Sequence, residues 1–202
     1  MNTHDSDMDD DQSLVNACRK GDVAAFEGLV LRHQRMVLNV AFRMLGNYED
    51  ACDITQNAFL AAFRKFGEFR GAARFSTWLT AIVINLSRNR LQQLKSRQRR
   101  EAWSLDDPPP GNSAASPSAL RSEAPSALQQ LEEEELRRAV RRCIEALDAG
   151  FREVLVLRDV QEFSYDEVAG TLGLREGTVK SRLFRARDAV KDCLKRSMGI
   201  GR

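Results

Sequence analysis

Hydrogen-bond donors suited to reading a nucleic acid cluster near the C-terminus of this sequence. They occur at Thr178, Lys180, Ser181, Arg182 and Arg185. Arginine and lysine side chains address the O6 and N7 atoms of guanine, and serine addresses bases or phosphate. The apolar residues among them recur at helical spacing and mark the opposite, buried side: Val179, Leu183 and Ala186. The pattern predicts a helix whose basic, polar face binds DNA in the major groove.

The residues ahead of this helix carry the signals of a helix-turn-helix. Ser164 and Glu167 have the spacing of a capping box, in which each side chain bonds the backbone of the other residue. We expect Gly173 to break that first helix, Gly177 to turn the chain, and Thr178 to begin the second helix. A purely structural helical hairpin is the alternative. The cap, the turn and the basic face together favour DNA binding.

A second candidate surface for nucleic acid lies in residues 69–100. Apolar residues at i, i+3, i+4, i+7 and i+8 predict a buried helical stripe: Phe75, Trp78, Leu79, Ile82, Val83 and Leu86. The same helix then turns basic: Arg88, Arg90, Lys95, Arg97, Arg99 and Arg100. A small-residue turn at Gly71, with Phe69 before it, precedes the helix. Aromatic and cationic groups side by side suit a polyanion with stackable bases; the alternative is a solvated basic helix end.

Three polar residues share one face of the helix expected over residues 48–66. Asp53, Gln56 and Asn57 have the i, i+3, i+4 spacing that places helical side chains next to one another. The apolar residues of this helix lie on the other side: Ala51, Ile54, Ala58, Phe59, Ala62, Phe63 and Phe66. The polar face is either plainly solvated or a docking surface for a partner helix, and the residues alone leave both interpretations open.

Composition limits the classes of function that the chain can have. It has 202 residues, 30% of them charged, with a formal net charge of only +2, so the charge is segregated rather than in excess. Acidic segments at residues 1–11 and 132–135 alternate with basic segments at residues 88–100 and 178–195. The sequence shows no phosphate-binding loop, no metal-ligand spacing and no His/Cys/Asp constellation. We therefore expect no enzyme activity, no metal site and no cofactor.

The four cysteines, Cys18, Cys52, Cys143 and Cys193, form no CxxC pair. We expect them to be reduced and mostly buried thiols. The acidic N-terminus lacks the apolar segment of a secretory signal, and no apolar run approaches the length of a membrane span. The expectation is a cytoplasmic protein that does not insert into membranes.

Composition also divides the chain into four parts. We expect residues 1–12 to be a disordered acidic N-terminus and residues 13–100 to be a helical domain. Residues 101–130 are rich in Pro, Ser and Ala and are typical of a flexible linker. Residues 131–197 are expected to form a second helical domain. Because β-branched alternation is absent, the predicted fold class is all-α, with two small helical domains joined by the linker.

Several motifs, taken together, resemble one family. They are Asp53-Ile-Thr-Gln56-Asn-Ala-Phe59, Phe69-Arg-Gly, Phe75-Ser-Thr-Trp78-Leu, Asn85, Ser164-Tyr-Asp-Glu-Val-Ala and Gly177-Thr-Val-Lys-Ser-Arg-Leu-Phe-Arg-Ala-Arg187. From about Ser13 to Arg196 the sequence looks like a bacterial sigma-70 factor of the extracytoplasmic-function (ECF) group. The resemblance implies sigma domain 2 at residues 13–100 and sigma domain 4 at residues 131–197. Domain 4 is expected to be a winged-helix-like helix-turn-helix.

The resemblance assigns roles to residues of the N-terminal domain at matching positions. Asp53, Gln56 and Asn57 match the surface that docks on the coiled coil of the polymerase β′ clamp. The family usually has Glu where this chain has Asn57, so one charge of that surface is missing. The part that engages the −10 element and holds a flipped base matches these residues: Phe69, Arg74, Phe75, Asn85, Arg88 and Asn89.

In the C-terminal domain, the −35 recognition helix of the family matches these residues: Thr178, Lys180, Ser181, Arg182, Phe184 and Arg185. The resemblance implies a transcription initiation factor that binds core RNA polymerase through the β′ clamp and β flap. It would direct the polymerase to −10 and −35 promoter elements and melt the −10 region. An anti-sigma factor, commonly membrane-anchored, is the further implied partner. The alternative is a stand-alone helix-turn-helix regulator that binds duplex DNA.

Overall fold

The computed structural model describes the backbone of residues 3–102 and 127–199 and the side chains of residues 11–100 and 133–199. These residues form helices joined by turns and contain no strand, which confirms the all-α prediction. The helices are α1 Thr3–Arg19, α2 Val23–Leu45, α3 Tyr48–Arg64, α4 Phe75–Ala102, α5 Ala127–Glu145, α6 Ala149–Leu155, α7 Tyr165–Leu172 and α8 Glu176–Ser197. A 3₁₀ turn, Phe66–Glu68, follows α3, and a π-helical turn, Val156–Val160, continues α6.

Two compact units contain these helices. Helices α1, α3 and α4 with most of α2 form the first unit, and α5 to α8 belong to the second. The predicted linker over residues 101–130 lies mostly outside the described residues, and its two ends belong to α4 and α5.

The first unit starts differently from the prediction. Instead of a disordered segment over residues 1–12, α1 begins at Thr3. The Asp11 carboxylate lies 3.0 Å from Nη1 of Arg32 and 2.9 Å from Nε2 of His33, both on α2. Burial raises the pKa of Asp11, but the His33 and Arg32 contacts outweigh burial and hold it below the usual value. The carboxylate therefore stabilises this contact above the ordinary aspartate pKa, and the contribution is lost as the pH falls through the lowered pKa.

Short capped turns set the directions of the helices in the first unit. Gly21 lies in the turn between α1 and α2 and has a φ of +92°, a conformation in which glycine carries no steric penalty. The Asp22 carboxylate then accepts hydrogen bonds from the backbone N–H groups of Ala24 (2.9 Å) and Ala25 (3.2 Å), as a helix N-cap does. The core of the unit follows the predicted apolar periodicity: Val15, Leu29, Val37, Val40, Ala51, Ile54, Leu79 and Val83.

One residue predicted for the polyanion-binding surface is a structural tie instead. Arg90 Nε donates a hydrogen bond to Oδ1 of Asp50 at 2.9 Å, which joins α4 to α3. The basic residues of the last turns of α4 are exposed: Lys95, Arg97, Arg99 and Arg100. The cationic surface therefore lies toward the end of α4, and Arg90 holds the helix in place.

Side-chain caps build the helix-turn-helix of the second unit as predicted. Ser164 Oγ accepts from the backbone N–H of Glu167 at 3.2 Å, and Glu167 Oε2 accepts from the backbone N–H of Ser164 at 2.9 Å. Gly173 ends α7 in the left-handed region, with a φ of +64°. Helix α8 begins at Glu176, slightly ahead of the predicted Thr178. The described residues of this unit include no β-hairpin wing.

The expectation that every cysteine is a thiol is wrong for two of them. Cys143 on α5 and Cys193 on α8 form a disulfide, with a Cα–Cα distance of 5.7 Å. Cys18 and Cys52 are free thiols. The paired cysteines are separated by 50 positions, so only the packing of α5 against α8 brings them together.

Candidate nucleic-acid interfaces

Helix α8 presents its predicted donors on one side because its apolar residues hold the other side in the core. The buried residues are Val179, Leu183 and Ala186. Lys180, Ser181, Phe184 and Arg185 are exposed on the opposite side, and their i, i+1, i+4, i+5 spacing brings them together. Phe184 is 73% exposed, so its ring is available to a partner. We call these four residues the reading face.

Two further residues predicted for the same helix face lie apart from the reading face. Arg182 is half-buried because its guanidinium lies against Gly150. A side chain at position 150 would bring a Cβ atom within 3.3 Å of Nη1 of Arg182. Thr178 is also half-buried, and its backbone carbonyl accepts a hydrogen bond from Oγ of Ser181 at 3.0 Å. Both residues flank the reading face, and their DNA contacts remain a prediction.

The ammonium group of Lys180 is held by residues that the sequence analysis did not assign to the site. Glu176 Oε1 lies 2.5 Å from Lys180 Nζ, and the Tyr165 ring centroid lies 5.3 Å from it. The hydrogen bond with Glu176 and its negative charge raise the pKa of Lys180. A carboxylate thus competes with DNA for this cation. The i, i+4 spacing of Glu176 and Lys180 was the sequence signal for this pair.

The loop before α4 differs from its prediction because its aromatic side chains are buried. Phe69 is 7% exposed and Phe75 is 3% exposed. The Phe69 ring centroid lies 5.7 Å from that of Phe75 and 5.1 Å from that of Trp78, in a packed aromatic cluster. Neither Phe69 nor Phe75 can stack on a base without leaving this cluster. The two residues predicted as −10 contacts therefore form the support of the loop.

Arg19 at the end of α1 fixes this loop, a role that the sequence analysis missed. Its Nη2 atom donates a hydrogen bond to the carbonyl oxygen of Phe69 at 2.9 Å, and its guanidinium lies 5.8 Å from the Phe69 ring centroid. Gly71 has a φ of +76°, and a Cβ there would lie 3.1 Å from Arg19 Nη2. The positive φ therefore favours glycine at this position, and the Arg19 guanidinium lies close beside it. No local signal predicts the contact, because 50 positions separate Arg19 from Phe69.

The exposed residues that remain from the predicted −10 set lie on the loop and on α4. Arg74 is exposed just before α4 begins. Asn85 and Asn89 are exposed and Arg88 is half-buried, and their i, i+3, i+4 spacing forms one face, which we call the α4 face. Arg88 Nη1 lies 3.5 Å from Oδ1 of Asn85. The α4 face therefore offers two amides and a guanidinium, which can donate to and accept from the edge of an unpaired base.

The predicted polar surface of α3 is exposed as a group. Asp53, Gln56 and Asn57, which we call the docking face, all lie on the solvent side of the helix. Gln56 also lines a cleft of about 440 Å³ whose apolar walls include Leu38 of α2 and Phe59 of α3. A partner helix can therefore meet polar groups and an apolar cleft on one side of this unit.

Neither a metal centre nor a membrane span is found in the described part of the chain. No group of three or more His, Cys, Asp or Glu side chains there is placed to hold a metal ion. None of the helices described is both long and apolar enough to cross a bilayer.

Comparison with known families accounts for both units. The model of sigma-70 region 2 matches residues 29–98, and that of sigma-70 region 4 matches residues 137–190. The RNA polymerase sigma-H factor of Pseudomonas aeruginosa PAO1 is 34% identical over 194 residues, which cover 93% of this chain and 95% of that protein. The ECF RNA polymerase sigma-E factor of Escherichia coli K12 is 36% identical over 187 residues, covering 89% and 92%.

Solved structures show the same likeness. RpoE of Bartonella quintana, in complex with the anti-sigma factor NepR, has a TM-score of 0.64 and 25% identity, covering 86% of this chain and 98% of that one. CnrH, in complex with the cytosolic domain of CnrY, has a TM-score of 0.63 and 27% identity, covering 93% and 98%.

The chain therefore belongs to the sigma-70 family of RNA polymerase sigma factors. Its relatives place it in the ECF group, as the sequence motifs indicated. It is a transcription initiation factor that binds core RNA polymerase and directs it to −10 and −35 promoter elements. These findings confirm the main functional prediction and favour it over a stand-alone regulator.

Proposed function

We propose that this sigma factor recognises the −35 element with its reading face. The observation that carries the proposal is the clustering of Lys180, Ser181, Phe184 and Arg185 on the exposed side of α8, the second helix of the helix-turn-helix. The planar guanidinium of Arg185 can bond the O6 and N7 of guanine with two parallel hydrogen bonds. The Phe184 ring can contact a thymine methyl group or a sugar. Thr178 and Arg182, at the flanks, are the proposed phosphate contacts.

The −10 element is engaged by the α4 face and the loop in front of it. Extruding a base from the stack costs a few kcal/mol, and a fitted polar pocket offsets that cost. Asn85 and Asn89 supply the polar edge of such a pocket, while Arg74 and Arg88 supply charge for the backbone. Phe69 and Phe75 act indirectly, because their packing fixes the loop that borders the pocket.

The docking face is the proposed contact with the β′ clamp. Asp53, Gln56 and Asn57 offer one negative charge and two amides beside a cleft with apolar walls, so an amphipathic helix with a cation opposite Asp53 fits best. The β flap is the proposed partner of the second unit. The chain itself performs no covalent chemistry and needs no cofactor, because nucleotide addition belongs to the polymerase. It acts in the cytoplasm on nucleoid DNA and does not insert into membranes.

An anti-sigma factor is a further proposed partner. The Bartonella quintana relative was solved with one, and CnrH was solved with the cytosolic domain of CnrY. We propose that such a partner, membrane-anchored as the family resemblance implies, holds this chain inactive until a signal releases it.

Footprinting of promoter DNA tests the proposal against the stand-alone regulator. With core polymerase present, we expect protection over both the −10 and −35 elements. The chain alone should protect neither element fully, because each unit contributes few base contacts. Full protection of an operator by the chain alone would instead support the regulator.

Replacing the carboxylate that holds Lys180 should strengthen DNA binding modestly. In Glu176→Gln, Lys180 is free to contact phosphate, so the slope of log K against log salt should steepen by about 1. The measurement is a salt titration of −35 duplex binding. Asp192→Asn is the matched control, since it removes one negative charge from the same helix near its far end. An equal change in both variants would show that only net charge matters.

Releasing the loop before α4 should impair promoter melting. Arg19→Gln removes a charged hydrogen bond to the Phe69 carbonyl, a kind of bond that contributes about 1.5–3 kcal/mol. Permanganate reactivity of unpaired −10 thymines, measured on the holoenzyme, should fall several-fold while −35 duplex binding stays unchanged. Lys20→Gln, at the next position, is the charge-matched control and should melt normally. Normal promoter melting by Arg19→Gln would show that the Arg19 contact does not position the loop for melting.

A further inference from the structure

The disulfide between Cys143 and Cys193 has no part in the surfaces described above. It joins α5 to α8 with a Cα–Cα distance of 5.7 Å, within the usual range for disulfides. Cys143 is 2% exposed, whereas Cys193 is half-buried. Cys193 is therefore the more accessible of the two cysteines to a small reagent, and Cys143 is the shielded one.

The position of the bond along α8 gives it a specific mechanical role. The half of α8 that bears the reading face is held by the buried residues Val179, Leu183 and Ala186. Arg187 also ties it to Asp159 through a hydrogen bond of 2.9 Å from Nε. From Val190 to residue 199, by contrast, the described chain has no fully buried side chain. The disulfide is thus a covalent tie in the half of the helix that apolar packing holds least.

We propose that Cys143 and Cys193 are a reversible thiol–disulfide exchange site that sets the stability of α8. The oxidant is a low-molecular-weight disulfide, and the reductant is a dithiol. On oxidation, the Cys193 thiolate attacks the oxidant and forms a mixed disulfide, releasing one thiol. The Cys143 thiolate then displaces the second thiol and closes the Cys143–Cys193 bond. The protein loses two electrons and two protons, and the oxidant becomes two thiols; a dithiol that attacks Cys193 reverses both steps.

The direction of the effect follows from the length of the closed loop. A bond between residues 50 positions apart restricts the unfolded chain and favours the folded unit. Loops of that size imply a fall in the Tm of the second unit of about 15–30 °C after reduction. The reading face keeps its own buried contacts, so the reduced unit should still bind −35 DNA well below its Tm.

The first test uses the full chain, with thiol counting by alkylation and mass spectrometry alongside Tm measurement. Oxidised glutathione should leave two alkylatable cysteines, and dithiothreitol should expose four and lower the Tm. Cys143→Ser and Cys193→Ser should each have the lower Tm under both conditions, and Cys143→Ser should accumulate a glutathione adduct on Cys193 that dithiothreitol removes. The double variant Cys18→Ser/Cys52→Ser should keep the full response. Four free thiols after oxidation, or a Tm that is the same for the oxidised and reduced protein, would overturn the proposal.

The second test asks whether the redox state of this disulfide controls binding of the −35 element. This test rests on the proposed function of the reading face. Binding of a −35 duplex is measured for both redox states at room temperature and between the two Tm values. We expect the oxidised and reduced forms to bind the duplex similarly at room temperature. At the higher temperature, only the reduced form should lose binding. If the two redox forms bind equally well at both temperatures, redox control of the reading face is overturned. Absence of binding in either state at room temperature would contradict the −35 assignment but leave the thiol result standing.

Discussion

Arg185→Ala should lower the discrimination between a −35 element and unrelated DNA by about 1–3 kcal/mol, the usual contribution of a bidentate contact to guanine. Arg185 is exposed on the reading face, and the same helix is held in place by the buried Leu183. The substitution removes the two-pronged donor and leaves the packing of α8 intact. Competition binding of matched and mutated −35 duplexes, with the holoenzyme and at fixed salt, measures the effect.

Arg196→Ala supplies the control for this experiment. Arg196 is exposed on the last turn of α8, so the variant loses the same charge from the same helix away from the reading face. It should weaken binding to all duplexes alike and leave discrimination unchanged. If Arg185→Ala and Arg196→Ala reduce affinity equally for matched and mutated duplexes, Arg185 contacts only the backbone and the base-reading assignment is wrong.

Asn85→Ala should reduce open-complex formation more than duplex binding. The exposed amide of Asn85 can both donate to and accept from an extruded base. Losing these bonds should remove about 1–2 kcal/mol, which is roughly a 5–30-fold fall in the ratio of open to closed complexes. The ratio is measured from permanganate reactivity at the −10 element, with closed-complex affinity determined separately.

Asn16→Ala is the matched control for Asn85→Ala, because it removes the same exposed amide from α1. It should melt promoters like the unmodified chain. An Asn85→Ala variant that opens promoters normally would contradict the α4 face as the site of base capture. An equal loss in closed-complex affinity would assign Asn85 to duplex binding instead.

The helix-turn-helix could be predicted from the sequence because its signals are local. The Ser164–Glu167 capping box and the break at Gly173 each involve residues within a single helical turn. The Asp22 cap of α2 is equally local. Apolar periodicity then identified the buried sides of the helices, since a helix repeats its faces every few residues. The predicted start of α8 was late because Glu176, in its first turn, reads equally well as part of the loop.

The orientation of the site residues could not be predicted, because it depends on packing between segments distant in sequence. Arg182 and Arg185 are the same residue type on one helix, yet Arg182 lies against Gly150 and Arg185 is exposed. Phe69 and Phe75 belong to motifs of the −10 region, but the fold buries both. A motif thus indicated which loop matters and not which of its side chains reach the DNA.

Two long-range contacts of the fold had no sequence signal at all. Arg19 reaches Phe69 across 50 positions, and Cys143 reaches Cys193 across the same separation. In the linear sequence, Arg19 is a basic residue at a helix end, which the helix dipole already favours. Cys143 and Cys193 lack the short spacing that marks paired cysteines. Contacts of this kind are defined only by the tertiary fold.

Run-off transcription with purified core polymerase tests the central claim most directly, that the two helical units together give the polymerase its promoter. We expect the unmodified chain to produce a transcript with a defined start site from a template bearing its −10 and −35 elements. Neither core polymerase nor the chain alone should produce it, and Arg185→Ala and Asn85→Ala should reduce it. Failure of the chain to direct any start-specific transcript from such a template would contradict the account.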